Sequence, residues 1–144
     1  MRANRALKYG IGIPAQAVVD TTPINGNAVD VRGYGVFEAH VNVGTPSASD
    51  TLTVKLQETT EDPATPGSAL ASGWGDITDA TTGAIAAAGQ KVIQLDCQKR
   101  KAFIRAVATA AGSSISIPFA VAYVRREGTR TQPETAPDVA IGFD

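Results

Sequence analysis

Two stretches of strict alternation limit the fold more than any other feature of the chain. In "VFEAHVNV" (36–43), Phe37, Ala39, Val41 and Val43 fall on one side and Glu38, His40 and Asn42 on the other. "TLTVKLQE" (51–58) repeats the pattern, with Leu52, Val54 and Leu56 opposite Thr51, Thr53, Lys55 and Gln57. A period of two suits side chains that alternate across a pleated strand, whereas a helix would scatter the same residues around its axis. Both stretches predict half-buried antiparallel strands, and "GTPSASD" between them supplies the turn. Leu52, Val54 and Leu56 are expected in the core.

Further strands are read at "AVVD" (17–20), "AVDVR" (28–32), "KVIQLD" (91–96), "AFIRAVATA" (102–110) and "ISIPFAVAYV" (115–124), with a short one around Trp74 and Ile77. Asn25-Gly26 predicts a turn with positive φ. Pro118 inside the last strand predicts an edge position or a bulge. "TTGAIAAAGQ" (81–90) is ambiguous, since its alanines suit a helical turn and its glycines do not. About eight short strands, with turn signals every ten or so residues, predict an all-β antiparallel sandwich. A jelly-roll-like order is expected, with an immunoglobulin-like sandwich as the alternative. Ala and Val dominate the 43% hydrophobic content, beside four Phe, three Tyr and one Trp. Trp74 is therefore expected as the large plug of a small-residue core.

A length of 144 residues suits one domain, and residues 16–124 are assigned to it. Residues 1–15 lack the alternation and carry Arg2, Arg5 and Lys8 among glycines and a proline, which predicts an N-terminal arm. Beyond Val124, "RREGTRTQPETAPDVAIGFD" is polar until its apolar tip at Val139, Ala140, Ile141 and Phe143. Residues 125–144 are thus expected as an extended tail, too polar to fold alone.

Composition and spacing argue against several functions. A net charge of −1 supplies no field to draw the chain to nucleic acid or a membrane. No apolar run nears the roughly 20 residues that span a bilayer. Lys8, Gly10, Gly12 and Pro14 interrupt any signal-peptide core, so synthesis in the cytoplasm without secretion is expected. Cys97, the single cysteine, reads as a small apolar filler rather than part of a disulfide or zinc cluster.

No reaction centre is expected either. His40 faces outward between Glu38 and Asn42 without a nucleophile motif, and it reads as a surface histidine. Asp76 and Asp79 near Trp74 resemble a glycosidase pair only in composition; local capping of backbone amides is the plainer reading. Glu58, Glu61 and Asp62 match no calcium-loop spacing. Lys99, Arg100 and Lys101 read as a charged hairpin end. The chain is read as a non-enzyme with no metal and no cofactor.

Its two ends are more informative, because arms of this kind gain buried area only by lying on a neighbour. Plain terminal disorder is the other reading. The residues "LQE…W.DIT" and "QLD…KR…IRAV", within a stretch from about 28 to 124, resemble small all-β decoration or cement proteins of tailed bacteriophages. The resemblance implies a virion structural protein on the outer capsid surface. Its partners would be the major capsid protein and its own copies in a small homo-oligomer. Under that reading Tyr9, Val139, Ile141 and Phe143 are expected as apolar contacts, and Arg2, Arg5 and Lys8 as partners of capsid carboxylates. Similar "LQ.S.DG..W..I" patterns occur in carbohydrate-binding sandwich modules, which leaves a sugar-binding or host-attachment module as the alternative. Where such modules have a tight turn, this chain has "TTEDPATPGSALASG", and Glu61 and Asp62 in it are candidate loop contacts.

Overall fold

A computed structural model of the protein describes residues 7–47, 49–60 and 73–126, and the backbone of 139–141. Among the described residues, ten strands form two sheets: β1 (Lys8–Val18), β2 (Ile24–Asn25), β3 (Val29–Asp30), β4 (Val36–Val43), β5 (Thr51–Thr59), β6 (Gly75–Thr81), β7 (Gly89–Asp96), β8 (Phe103–Ala111), β9 (Ile117–Arg126) and β10 (Val139–Ile141). One sheet runs β1-β9-β4-β7-β10; the other runs β2-β8-β5-β6, with β3 also on β8. The pairs β1·β9, β2 and β3·β8, β4·β7 and β5·β6 are nested in chain order, as in one long hairpin rolled over on itself. That nesting is a jelly roll, and it excludes the immunoglobulin-like strand order.

The alternating strands form as their pattern dictates. Phe37, Ala39 and Val41 of β4 and Leu52, Val54 and Leu56 of β5 have no exposed surface. The inner face of β8 is Ile104, Ala106, Ala108 and Ala110, all buried. These short side chains leave room for the large residues opposite, above all Phe37 and Tyr123, whose rings pack 5.2 Å apart at a tilt. "TTGAIAAAGQ" forms no helix; Ile85 bridges to Leu52 instead. Pro118 lies in β9, an inner strand, but at its second residue and beyond the last pair with β4 (Val43↔Phe119), where its missing N–H costs no ladder bond.

Tyr123 joins the two sheets. β2 and β3 are halves of one strand: Asn25 pairs with Val107 and Val29 with Ile104, so three residues oppose two and Asn27 is the extra one. The interruption leaves Ala106 N–H without a strand partner, and the Tyr123 hydroxyl accepts it at 2.7 Å while donating to Asn27 O at 3.0 Å. Burial raises the Tyr123 pKa, which keeps this donor protonated at neutral pH. β1 is bulged at the facing place, between Ile11 and Ile13. Asn27 N donates to Gly12 O at 2.8 Å, and Asn27 Nδ2 to Ile11 O at 2.9 Å. Two bulges, one at the edge of each sheet, are thereby bonded to each other.

Several expectations are corrected here. Residues 8–15, expected as part of an arm, are strand β1, because bulges restore an inward Ile13 that simple alternation hides. Asn25 and Gly26 do not adopt positive φ. Gly26 is required by crowding: a Cβ there would stand 2.8 Å from Ala106 O and 2.9 Å from Gly12 O. The sandwich also takes in Arg125 and Arg126. The tail tip Val139–Ile141 returns as a parallel strand on β7 instead of extending away.

Tyr123→Phe keeps the ring and strips the hydroxyl, leaving the buried Ala106 N–H unpaired. Urea unfolding should show a loss of about 1–3 kcal/mol with an unchanged m-value.

Candidate functional site

Strand register gathers one end of the jelly roll. Lys8 pairs with Arg125, Val36 with both Arg126 and Asp96, and Thr59 with Phe103. The turn between β3 and β4, the end of β5 and the 3-10 turn Cys97–Lys99 therefore lie together. Most of the cations in the described residues collect there: Lys8, Arg32, the run Lys99 to Lys101, Arg125 and Arg126. Between the turns lies a cavity of about 830 Å³, lined by residues 31–35, Thr60, Cys97, Gln98, Arg100, Lys101 and Ala102.

Its walls are held by specific bonds. Asp96 caps the 3-10 turn by accepting from Gln98 N at 3.0 Å. Glu58 accepts the Lys101 N–H at 3.0 Å and sits 3.9 Å from Arg100 Nη1, tying the basic turn to β5. Arg32 grips Asp30 through Nε and Nη2, the shorter contact being 2.6 Å, and that hydrogen bonding holds the Asp30 carboxyl below its usual range. Arg125 donates to Asp30 O at 2.8 Å and lies 5.0 Å over the Tyr34 ring. Burial pushes the Cys97 thiol up to about 12, so it remains a protonated filler.

A second feature adjoins this end. Leu7, Tyr9 and Ile11 are 45%, 73% and 63% exposed and fall two residues apart, leading into and along β1, the outermost strand of its sheet. Inward alternatives are taken: Gly12 faces Tyr123 so closely that a Cβ would collide with its ring. Isolated surface apolar groups are ordinary, but an ordered row on an edge strand is a contact surface in waiting. Tyr9 pairs with Val124, next to Arg125, whose side chain turns the other way to stack on Tyr34 in the cavity wall, so the row and the cavity lie at the same end of the sandwich.

Trp74 is not the core plug that its rarity predicts. It is half-buried outside the core cluster, and the Arg105 guanidinium lies 4.5 Å from its ring centre. Arg105 is only 7% exposed although it points away from the sandwich interior; Nε and Nη2 donate to Gln57 Oε1 at 2.9 and 2.8 Å. Desolvation lowers its pKa. Gln57 passes the contact on to Asp76 at 2.8 Å, and Lys55 binds the other Asp76 oxygen at 2.9 Å. The Asp76 carboxyl is consequently held low by side-chain donors, and among the described residues it accepts from no backbone amide.

The remaining candidates divide cleanly. Lys8 and Tyr9 lie on β1; Leu52, Val54 and Leu56 lie in the core. Val139 and Ile141 belong to β10, described by backbone alone. Arg2, Arg5, Glu61, Asp62 and Phe143 lie outside the described residues. His40 is half-buried, its Nε2 3.7 Å from Glu38 Oε1, and Glu38 also receives Gln94 and Arg126. No group of three potential metal ligands occurs among the described residues. Sequence reading missed Arg105 and Tyr34. The alternation in "AFIRAVATA" does place Arg105 opposite the core, but nothing local signals that Trp74 covers it.

No protein-family model matches the chain, and no curated protein sequence matches it.

Native protein at pH 8 should label with a thiol reagent at Cys97 far more slowly than the urea-unfolded chain. Equal rates, followed by mass spectrometry, would contradict the burial of Cys97.

Proposed function

We propose that the protein is a virion structural component. It binds the outer surface of a tailed-phage capsid as a small homo-oligomer and joins neighbouring major-capsid-protein subunits. The observation that carries this reading is the apolar row Leu7, Tyr9 and Ile11, presented on the outermost strand of a body stitched rigid at that same strand. Such a row supplies the desolvated anchors that dominate protein contacts. A protein that binds only the assembled shell stabilises it by mass action, with no need for a reaction centre.

Tyr9→Asp/Ile11→Asp places two charges on the exposed row without entering the core. Rebinding to particles stripped of the protein should fall by about tenfold or more, while the melting temperature of the isolated variant stays within a few degrees. Undiminished occupancy on the particles would remove the support for this role.

A carbohydrate-binding or host-attachment module is a second reading, favoured by the half-buried Trp74 beside Gln57, Asp76 and Arg105. Stacking of a sugar would alter the tryptophan fluorescence, which comes from one residue only. Titration with neutral and acidic oligosaccharides should then give a saturable change that Asp76→Ala weakens. A flat titration for all of them rejects this alternative.

A further inference from the structure

We propose that the cavity at the basic end is a binding groove for a carboxylate-rich protein segment. The proposal rests on the reading above only in taking the partner to be a protein.

Three observations carry it. The lining is one-signed: Arg32, Arg100 and Lys101 contribute cations, and no Asp or Glu belongs to the described lining. The nearby carboxylates are already engaged: Asp30 matches the charge of Arg32, Glu58 accepts the Lys101 N–H and Asp96 caps the 3-10 turn, so the charge left for a guest is that of Arg100 and Lys101. Lys101 is exposed, and its ammonium has no partner among the described residues; Arg100 has only the long 3.9 Å approach to Glu58. The groove thus offers positive charge that its own surroundings leave poorly neutralised, and a guest carboxylate would complete it.

Size and rigidity point the same way. A volume of about 830 Å³ lies within the range of ligand-holding clefts and admits several side chains of an extended segment. Tyr34 is fixed by Arg125 stacked on its ring, and the opposite wall is fixed by Glu58 and the Asp96 cap. A preformed wall spares the guest an ordering cost. Val31, Cys97 and Ala102 supply an apolar floor suited to a peptide stem. A nucleic-acid strand fits less well: it needs a basic track and free aromatic faces for its bases, whereas the Tyr34 ring is already stacked with Arg125.

The test uses the full-length chain and fluorescein-labelled hexaglutamate, followed by fluorescence anisotropy. Saturable binding is expected, weakening several-fold as salt rises from about 50 to 200 mM. Lys101→Glu, an exposed change that leaves the fold intact, should weaken it by about tenfold, and Arg100→Gln should weaken it as well. Lys55→Gln, on the outer face of β5 and outside the groove lining, should leave affinity unchanged. Absence of saturable binding, or equal affinity in Lys101→Glu, overturns the proposal. So does tighter binding of labelled oligo(dT) with the same sensitivity to Lys101→Glu, which would make the groove a phosphate site. If hexaglutamate fails while Tyr9 and Ile11 still govern particle occupancy, the groove alone is wrong. If hexaglutamate binds while occupancy ignores Tyr9 and Ile11, the capsid reading alone is wrong.

Discussion

The hydroxyl of Tyr123 closes a gap that the strand ladder itself opens. An extra residue, Asn27, breaks the pairing of β2 and β3 with β8 and exposes the Ala106 N–H to the interior. In an Ala-lined layer no neighbouring side chain of β8 can reach that donor, so the large residue opposite must supply the acceptor. Tyr123 does so and hands its own proton to Asn27 O, whose amide side chain in turn holds the bulge of β1. Apolar burial drives the sheets together without direction. These bonds supply the direction, because they form at one register only. The close approach they need explains why residues 12 and 26 are glycines, with no Cβ space beside Tyr123 or between two carbonyls.

Much of the architecture was legible from residues alone. Alternation predicts β4 at its observed ends and β5 to within a residue, because each alternates over a whole strand with one face in the core. β1 was not legible. Its bulges shift parity twice, so Ile11 faces solvent while Ile13 is buried, and the period-2 pattern disappears over that stretch. Asn25-Gly26 signals positive φ, but the reason for Gly26 is crowding, which depends on Tyr123, distant in sequence. Size alone makes Trp74 look like a plug. With Phe37 and Tyr123 already filling the space above the alanines of β8, the core does not need it.

The candidate site was legible in fragments. Tyr9 and Lys8 stand out in the sequence, and the basic run 99–101 is visible there too, but as a turn that resists pairing. Their convergence follows from nested pairing: in a rolled hairpin, the turns between alternate strands stack at the same end. Residues as far apart in sequence as Lys8, Tyr34 and Lys101 become neighbours of one surface. Charge summed over the whole chain cannot reveal this, since a net charge of −1 conceals how unevenly the cations are placed.

The bulges also bear on how a partner would meet β1. An outermost strand with regular spacing offers its N–H and C=O groups to any incoming strand, a route to uncontrolled pairing. Register shifts on both sides of Ile13 break that spacing, and Asn27 already claims the carbonyls of Ile11 and Gly12. Strand addition at this edge would have to break those bonds, which join the two sheets. Contact through the outward side chains of Leu7, Tyr9 and Ile11 leaves every one of them in place. A surface built in this way favours a partner that matches side-chain shape over one that extends the sheet, and it lets the body remain a closed, separate unit when bound.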